Sequence, residues 1–568
     1  MDKTASAARQ LLELAAKLGI KYIFSNLGSD HSAFIEAFAA IHNDGAQMPK
    51  IIVCPHEMTA LTAAHGYAMI TRKPQIVLVH VDVGTQNLGS SIHNAARGRV
   101  PAIVIAGLSP VTTNGDRLGA RTEFIHYTQD ALRQHEIGGQ YMKWSYELRA
   151  SEMVDAVLLR AMQLSTAMPP GPVYITGARE VWDEPGPRQP EPVAHWPELG
   201  AAGLRAEAVA ELYQALCKAK RPMVLTTYMG RQRAAVERLT ELSELIGIGV
   251  SEVSPQYTNF PGTHAHHLGY RRNALVDEAD LILMIDVDVP WIMSRVQPAE
   301  DAVLYHIDED ALKQGMGYWH FPAKASWQAD SLQVLEQLLA LAKTGDIGGR
   351  AERVEWIQDA KARTRLPDMP VHPQVINNQE LSEAIKELIN ERTILLSETP
   401  QATERLLSTF LLDRPGSYYA NGGSGLGWCI NAALGLKMAE PEAEVIALVG
   451  DGSYIFGVPS STYWVAGTYD IPHLTIIFNN GGWNAPKVST LLVHPEGVAK
   501  RNDTYWITMN AGARLADAAA ATGGAVAYRV EAKEDLKRTL QEAMATVRAG
   551  KSAVVDVVIV PVSGQVLS

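Results

Sequence analysis

The sequence predicts an α/β protein built from three doubly wound parallel-sheet units. Three observations lead there: a length of 568 residues, beyond what one hydrophobic core supports; short apolar runs that alternate with helical patterns; and a proline-rich stretch that interrupts the alternation. In the first unit, residues 1–182, strands are expected at Tyr22–Phe24, Ile51–Cys54, Ile76–Val81, Ala102–Ala106 and Val173–Thr176, with helices between. Amphipathic spacing of Leu11, Leu12, Leu14, Ala15 and Leu18 after Met1-Asp2-Lys3-Thr4 makes the N-terminal segment a domain's first helix rather than a signal peptide. The run from Glu184 to Pro192 holds four prolines and reads as an extended linker, because proline and its predecessor resist helix. The middle unit, 195–342, takes strands at Met223–Thr226, Leu281–Ile285 and Val303–Ile307. From Thr344 to about Pro373 a second linker with one short helical stretch is expected. The third unit, 374–568, takes strands at Thr393–Ser397, Val445–Val449, Leu474–Phe478 and Val554–Val558. Three units of like architecture point to an old duplication.

Composition narrows the function. A formal charge of −12 without a long basic stretch argues against nucleic acid and anionic membrane as partners. No run of about 18 uncharged apolar residues is present, so no membrane span is expected and the cytoplasm is the expected compartment. Cys54, Cys217 and Cys429 are too scattered for a disulfide framework or a zinc cluster. His264, His266 and His267 lack the cysteine or carboxylate context of a metal site and read as surface or interdomain residues.

Two short motifs carry the chemistry. Gly450-Asp451-Gly452-Ser453 follows the apolar run Val445–Val449, and Asn479-Asn480-Gly481-Gly482 follows Leu474–Phe478. Magnesium on a diphosphate needs hard oxygen ligands in near-octahedral geometry; one carboxylate and one carboxamide leave the other positions to phosphate, water and a backbone carbonyl. Asp451 and Asn480 are the side-chain candidates and Gly482 the third protein position. Gly450 and Gly452 allow the backbone to approach the phosphates, and Gly452 and Ser453 offer N–H groups where the next helix starts. The two motifs are one strand–helix–strand crossover apart, each at the carboxyl end of a strand, where open α/β sheets bind ligands.

This pair resembles the GDG…NN signature of thiamine-diphosphate enzymes, and the chain as a whole resembles their pyruvate-oxidase, decarboxylase and acetolactate-synthase-like subgroup. The resemblance implies a pyrimidine-binding first unit, a middle unit and a diphosphate-binding third unit, with thiamine diphosphate and Mg²⁺ as cofactors. Pro55-His56-Glu57, after the strand Ile51–Cys54, matches the subgroup's activating glutamate, so Glu57 is expected to hydrogen-bond the cofactor's pyrimidine nitrogen. Gly422-Gly423-Ser424-Gly425-Leu426-Gly427 resembles the loop whose glycines, Gly423 and Gly425 here, meet the pyrimidine ring, with Leu426 propping the cofactor into its bent form. Thr399, after the strand Thr393–Ser397, is expected to line the diphosphate site.

Within the subgroup the chain most resembles benzoylformate decarboxylases, through Ser25-Asn26-Leu27-Gly28-Ser29, His80-Val81-Asp82-Val83-Gly84-Thr85 and Pro415-Gly416-Ser417-Tyr418-Tyr419. By that match Ser29 holds the substrate carboxylate and His80 shuttles protons. Imidazole titrates near neutrality and suits that task. Three departures are visible. The middle-unit stretch Asp286–Met293 lacks those enzymes' second histidine; Ala420 falls where they carry an aromatic pocket residue; and Trp483 follows the metal loop. His126, near the place of an acetohydroxyacid-synthase active-site stretch, is a candidate substitute acid. The flavin stretch of those synthases is absent, so FAD is not expected. The resemblance implies a carbon–carbon lyase, a 2-oxo acid decarboxylase with carboligase activity, assembled as a homodimer or homotetramer. The alternatives are an acetolactate-synthase-like carboligase or acyltransferase, and a 2-hydroxyacyl-CoA or aldehyde lyase.

Overall fold

The apolar runs become the central strands of three sheets in a computed structural model that describes residues 5–189, 191–271, 273–509 and 512–562. Met1–Thr4, Pro190 of the expected linker and residues 563–568 of the third unit lie outside the described residues. The first sheet holds β1 (Tyr22–Ser25), β2 (Lys50–Val53), β3 (Ile76–Val79), β4 (Ala102–Leu108), β5 (Trp144–Leu148) and β6 (Pro172–Ala178). The middle sheet holds β7 (Pro222–Thr226), β8 (Gly249–Glu252), β9 (Leu281–Ile285), β10 (Val303–Asp308) and β11 (Ala325–Gln328). The third holds β12 (Thr393–Glu398), β13 (Tyr418–Ala420), β14 (Glu444–Gly450), β15 (Leu474–Asn479), β16 (Ala525–Val530) and β17 (Ser552–Val558).

The orders are β2-β1-β3-β4-β6-β5, β11-β10-β9-β7-β8 and β13-β12-β14-β15-β17-β16. Numbered within its own unit, the third sheet repeats the order of the first, and the middle sheet is the same pattern without its last strand. Each sheet therefore reverses direction between its first and third strands, and the crevice opened there is where such folds bind ligands. Parallel register levels the strand ends: Ser25 of β1 lies opposite Leu78 of β3, and Gly450 of β14 opposite Phe478 of β15. Asp451 and Asn480 thus leave neighbouring strands at the same height.

The second expected linker is corrected by the structure. Residues Arg350–Thr364 form a fifteen-residue helix, not a short one, and its Ile357 and Ala360 sink into the core beside the middle sheet. Arg353 anchors it, donating to the carbonyls of Ile246, Cys217 and Gly348 at the ends of neighbouring helices and loops. The first linker is tied down where it starts, by a bridge between Ser6 and Pro185. His266 and His267 are buried, the latter 3.0 Å from Glu252, so for these two the surface reading gives way to an internal polar contact. Among the described residues no helix is long and apolar enough to cross a membrane.

The first and third units share one core. The helix Glu57–Thr71 is buried from Glu57 to Met69 and packs along the helix Trp428–Ala439, itself buried from Trp428 to Leu436. Small residues make this possible. A Cβ on Gly435 would sit 1.7 Å from the carbonyl oxygen of Ala63, and one on Gly66 would sit 2.1 Å from that of Ala432. Both obstacles are backbone, which cannot swing aside. Gly435→Ala is accordingly expected to cost about 1–3 kcal/mol or more through overpacking. Chemical denaturation is the measurement, and an unchanged midpoint would mean that the helices do not touch at this point.

Candidate active site

Chemistry-bearing side chains gather at the switch points of the first and third sheets. In the first, the chain leaves β1 through Gly28 into a short 3₁₀ turn, Ser29–His31, while His80 ends β3 and caps the helix Val81–Asn87. Gly28 is glycine for a reason of space: a Cβ there would lie 2.0 Å from His80 Nδ1. Asp30, almost fully buried, hydrogen-bonds His80 Nδ1 through Oδ1 and accepts the backbone N–H groups of Val81 and Gly107 through Oδ2. Burial alone would raise the Asp30 carboxyl, but His31 and His80 reverse this and hold it well below the usual carboxylate range. The same hydrogen bond raises the pKa of His80 against the opposing effect of burial. His80 Nε2 faces Gln129 Oε1 at 3.1 Å, so in the imidazolium form both ring N–H groups have acceptors.

Ser29 Oγ lies 3.3 Å from His126 Nε2, which brings together two of the residues expected from the sequence. His126 is buried, and burial followed by the charge of Arg179 lowers its pKa. Arg179 NH1 stands 3.1 Å from His126 Nε2, and the Thr122 N–H points at Nδ1 from 3.3 Å. Donors facing the ring disfavour its protonated form. Glu57 is buried at the first turn of its helix, where its Oε2 accepts from Asn87 Nδ2 at 3.0 Å. Oε1 faces Gly84, where a Cβ would leave only 3.3 Å, so Glu57 and His80 border the same helix, Val81–Asn87.

In the third unit Asp451 is 4 % exposed, and among the described residues it has no cation in ion-pair distance. Its oxygens accept from Gly452 N–H at 2.7 Å and Gly482 N–H at 3.0 Å. Burial pushes the carboxyl up to about 6 despite those bonds. Asn480 Oδ1 also faces Gly482 N–H, at 3.2 Å, so Asp451, Asn480 and Gly482 converge. Gly482 is pressed against Ile507, whose carbonyl would be 2.3 Å from a Cβ, and Gly452 lies under the indole of Trp483. Gly450 needs no glycine for space, since its Cβ position meets only Glu398 O at 4.0 Å.

Glu398, not singled out in the sequence, ends β12 at this switch point. It is buried, with its oxygens accepting from Gly427 N–H at 2.9 Å and Cys429 N–H at 2.8 Å, and a further hydrogen bond from Ser453. Burial raises it to about 7. It therefore holds the start of the Trp428–Ala439 helix and with it the loop of Leu426. The Thr399 hydroxyl is turned to Ser397 Oγ, 2.8 Å away. Gly423 and Gly425 serve the packing of first unit on third: Cβ atoms there would meet Asn94 Oδ1 at 2.4 Å and Ser90 Oγ at 2.1 Å. Asn94 exchanges hydrogen bonds of 2.9 Å with Gly425 N–H and C=O.

The middle switch point is filled. Arg231 pairs there with Asp286 at 3.0 Å and Glu309 at 2.9 Å, and Arg99 reaches across from the first unit to Asp288 and Asp310, both at 2.8 Å.

Comparison with known proteins settles what this arrangement belongs to. Residues 5–137 match the model of the thiamine pyrophosphate enzyme N-terminal TPP binding domain, and residues 402–557 match that of the C-terminal TPP binding domain. The chain belongs to the thiamine pyrophosphate enzymes. Among relatives of this family, the acetolactate synthase large subunit of Haemophilus influenzae is 24% identical over 95% of this chain and 92% of its own. The benzoylformate decarboxylase of Pseudomonas aeruginosa is 24% identical over 83% of this chain and 85% of its own. In structure, the thiamine diphosphate-dependent 4-hydroxybenzoylformate decarboxylase of Rhodococcus jostii RHA1 superposes with a TM-score of 0.79 at 22% identity, covering 98% of this chain and 99% of that one. That likeness shows the shared fold of the family.

A thiamine pyrophosphate enzyme holds a diphosphate, and the donors of the third-unit cluster suit a cation beside it. A buried carboxylate whose only partners are backbone N–H groups lacks the positive charge that burial calls for. Oxygen donors from Asp451 and Asn480 suit a hard divalent ion.

The Asp30–His80 pair gives a test in the first unit. His80, held high, contributes stability fully present below its unfolded pKa of about 6.5 and lost as pH rises through the folded value. Asp30, held low, contributes stability present above its unfolded pKa of about 3.9 and lost as pH falls through its folded value. The pair is thus worth most between those limits. Asp30→Asn is expected to lower the His80 titration seen by NMR and to cost about 2 kcal/mol near pH 6. An unmoved His80 titration would mean that Asp30 does not set its charge.

Proposed function

We propose that this chain is a thiamine-diphosphate- and Mg²⁺-dependent carbon–carbon lyase of the cytoplasm, a 2-oxo acid decarboxylase with carboligase activity. The observation that carries the reading is the convergence of Ser29, His80 and Glu57 around one switch point, in an enzyme whose corresponding third-unit switch point presents Asp451 and Asn480. When bound, thiamine diphosphate supplies a nucleophilic ring carbon and a cationic ring that accepts the electron pair of a departing carboxylate. Asp451, Asn480 and Gly482 hold the metal. Gly450, Gly452, Ser453 and Thr399 border the diphosphate, with Glu398 bracing the helix start beside them. Leu426 props the cofactor, flanked by Gly423 and Gly425. Glu57 hydrogen-bonds the pyrimidine nitrogen, Ser29 receives the substrate carboxylate, and His80, poised by Asp30, takes up and returns a proton at the reacting carbon.

The two clusters form complementary half-sites, and we place the complete site between two chains, with a homotetramer as a pair of such dimers. Support comes from apolar side chains left in water beside each cluster: Val83 is 47% exposed next to His80 and Glu57, while Ile455 and Phe456 are 46% and 53% exposed next to Asp451. Burying such a surface drives association. Mixing Glu57→Gln with Asp451→Ala chains, each inactive alone, is expected to restore activity; a mixture that stays inactive, with mixed dimers seen by native mass spectrometry, refutes the shared site.

A second reading has one observation in its favour. Burial and Arg179 disfavour the protonated form of His126, and Asp286 and Asp288 lie in ion pairs, so among the described residues neither place adds a cationic proton donor beside His80. An acetolactate-synthase-like carboligase, or a 2-hydroxyacyl-CoA or aldehyde lyase, needs none, since a carbonyl acceptor replaces the proton. The test is a survey of 2-oxo acids, aldehydes and hydroxyacyl-CoA thioesters, scored for carbon dioxide and ligated product. Carbon dioxide without an acceptor supports the decarboxylase; product only with an acceptor supports the carboligase.

A further inference from the structure

Arg179 opens the helix Arg179–Asp183 directly after β6, at the same carboxyl edge of the first sheet as Ser29 and His80. Its side chain is half-buried, its Nε is enclosed without a hydrogen-bond partner, and NH1 has His126 Nε2 as its acceptor at 3.1 Å. Among the described residues it forms no ion pair. Asp183 feels its charge, yet burial still raises that carboxyl. Neighbouring Arg121, by contrast, is matched with Asp130. A partly buried guanidinium with spare donors is an incomplete anion site, because its planar fork fits a carboxylate in two places at once.

Ser29 Oγ contacts the same imidazole nitrogen as Arg179, so serine and guanidinium flank His126. One anion does not suit both groups: a carboxylate that departs as carbon dioxide loses its charge, and a cation fixed on it would stabilise the starting state more than the transition state. An anion that persists through the reaction gains in both. We infer that Arg179, beside His126, forms a subsite for a second carboxylate, which makes the substrate or the acceptor a short dicarboxylic 2-oxo acid. The inference rests on the proposed role of Ser29 at the reacting carboxylate.

The experiment compares non-reacting ligands on the holoenzyme, so that it does not depend on turnover. Glutarate is expected to bind about tenfold or more tightly than pentanoate, as a charge-assisted hydrogen-bonded pair allows. Arg179→Gln is expected to abolish that preference, and Arg179→Lys to keep part of it. Equal binding of glutarate and pentanoate by the unmodified protein overturns the subsite even if neither variant folds. A preference that survives in Arg179→Gln overturns it as well. In parallel, the survey of 2-oxo acids, with 2-oxoglutarate and 2-oxobutanoate included, is scored for carbon dioxide: failure of all of them sinks the decarboxylase reading, while the binding arm still decides Arg179.

Discussion

Glu57→Gln is expected to lower turnover by about two to four orders of magnitude, the range by which a positioned acid–base group acts, while the cofactor still binds. The amide keeps the shape and keeps a partner in Asn87, whose side chain can turn its oxygen toward it. What it loses is the ability to exchange a proton with the pyrimidine nitrogen. The position is buried and borders Gly84 closely. Hydrogen exchange at the cofactor's reactive ring carbon, followed by NMR on the loaded protein, isolates this step from substrate binding. Exchange at the wild-type rate in the variant would remove Glu57 from its assigned role.

Asp451→Ala is expected to abolish Mg²⁺ and thiamine diphosphate binding together. On this reading the diphosphate is held largely through the metal, and the Asp451 carboxylate is the charged side chain among the proposed ligands. Folding is expected to survive, since the free carboxylate is itself uncomfortable in the fold: burial raises it to about 6, and alanine removes that penalty along with two hydrogen bonds to backbone. Calorimetric titration with and without the metal reads both affinities. Wild-type cofactor affinity in the variant without metal would overturn the assignment of the third-unit site.

How much of this was legible in the sequence follows the burial of each strand. The central strands are covered on both faces and read as continuous apolar runs, such as Ile76–Val79 and Leu281–Ile285. The five strands that sequence reasoning did not find, β5, β8, β11, β13 and β16, all lie at sheet edges. Several of them, Trp144–Leu148, Ala325–Gln328 and Ala525–Val530, carry partly exposed or polar positions that break the apolar run. In the site, Asp451, Asn480 and Glu57 stood out because each belongs to a local motif at a strand end. Glu398, Asp30 and Arg179 belong to no local pattern, and their partners are distant in the chain: Asp30 meets His80, and Glu398 meets Gly427. A lone acid after Leu395-Leu396-Ser397 was the one available signal for Glu398, and the neighbouring Thr399 was chosen instead.

The close crossing of the Glu57–Thr71 and Trp428–Ala439 helices changes what counts as a unit. One continuous cluster of buried residues runs from Phe24, Val77 and Val104 through Trp428 and Leu434 to Val449 and Ile477, joining two sheets that topology separates. The middle sheet keeps a core of its own around Leu212, Val224 and Leu338. Three modules by strand order are therefore expected to behave as two in unfolding: the first and last thirds of the chain share an interior that excising either would bare. During synthesis, the segment that carries Glu57 must wait for the last third of the chain before its own helix is covered.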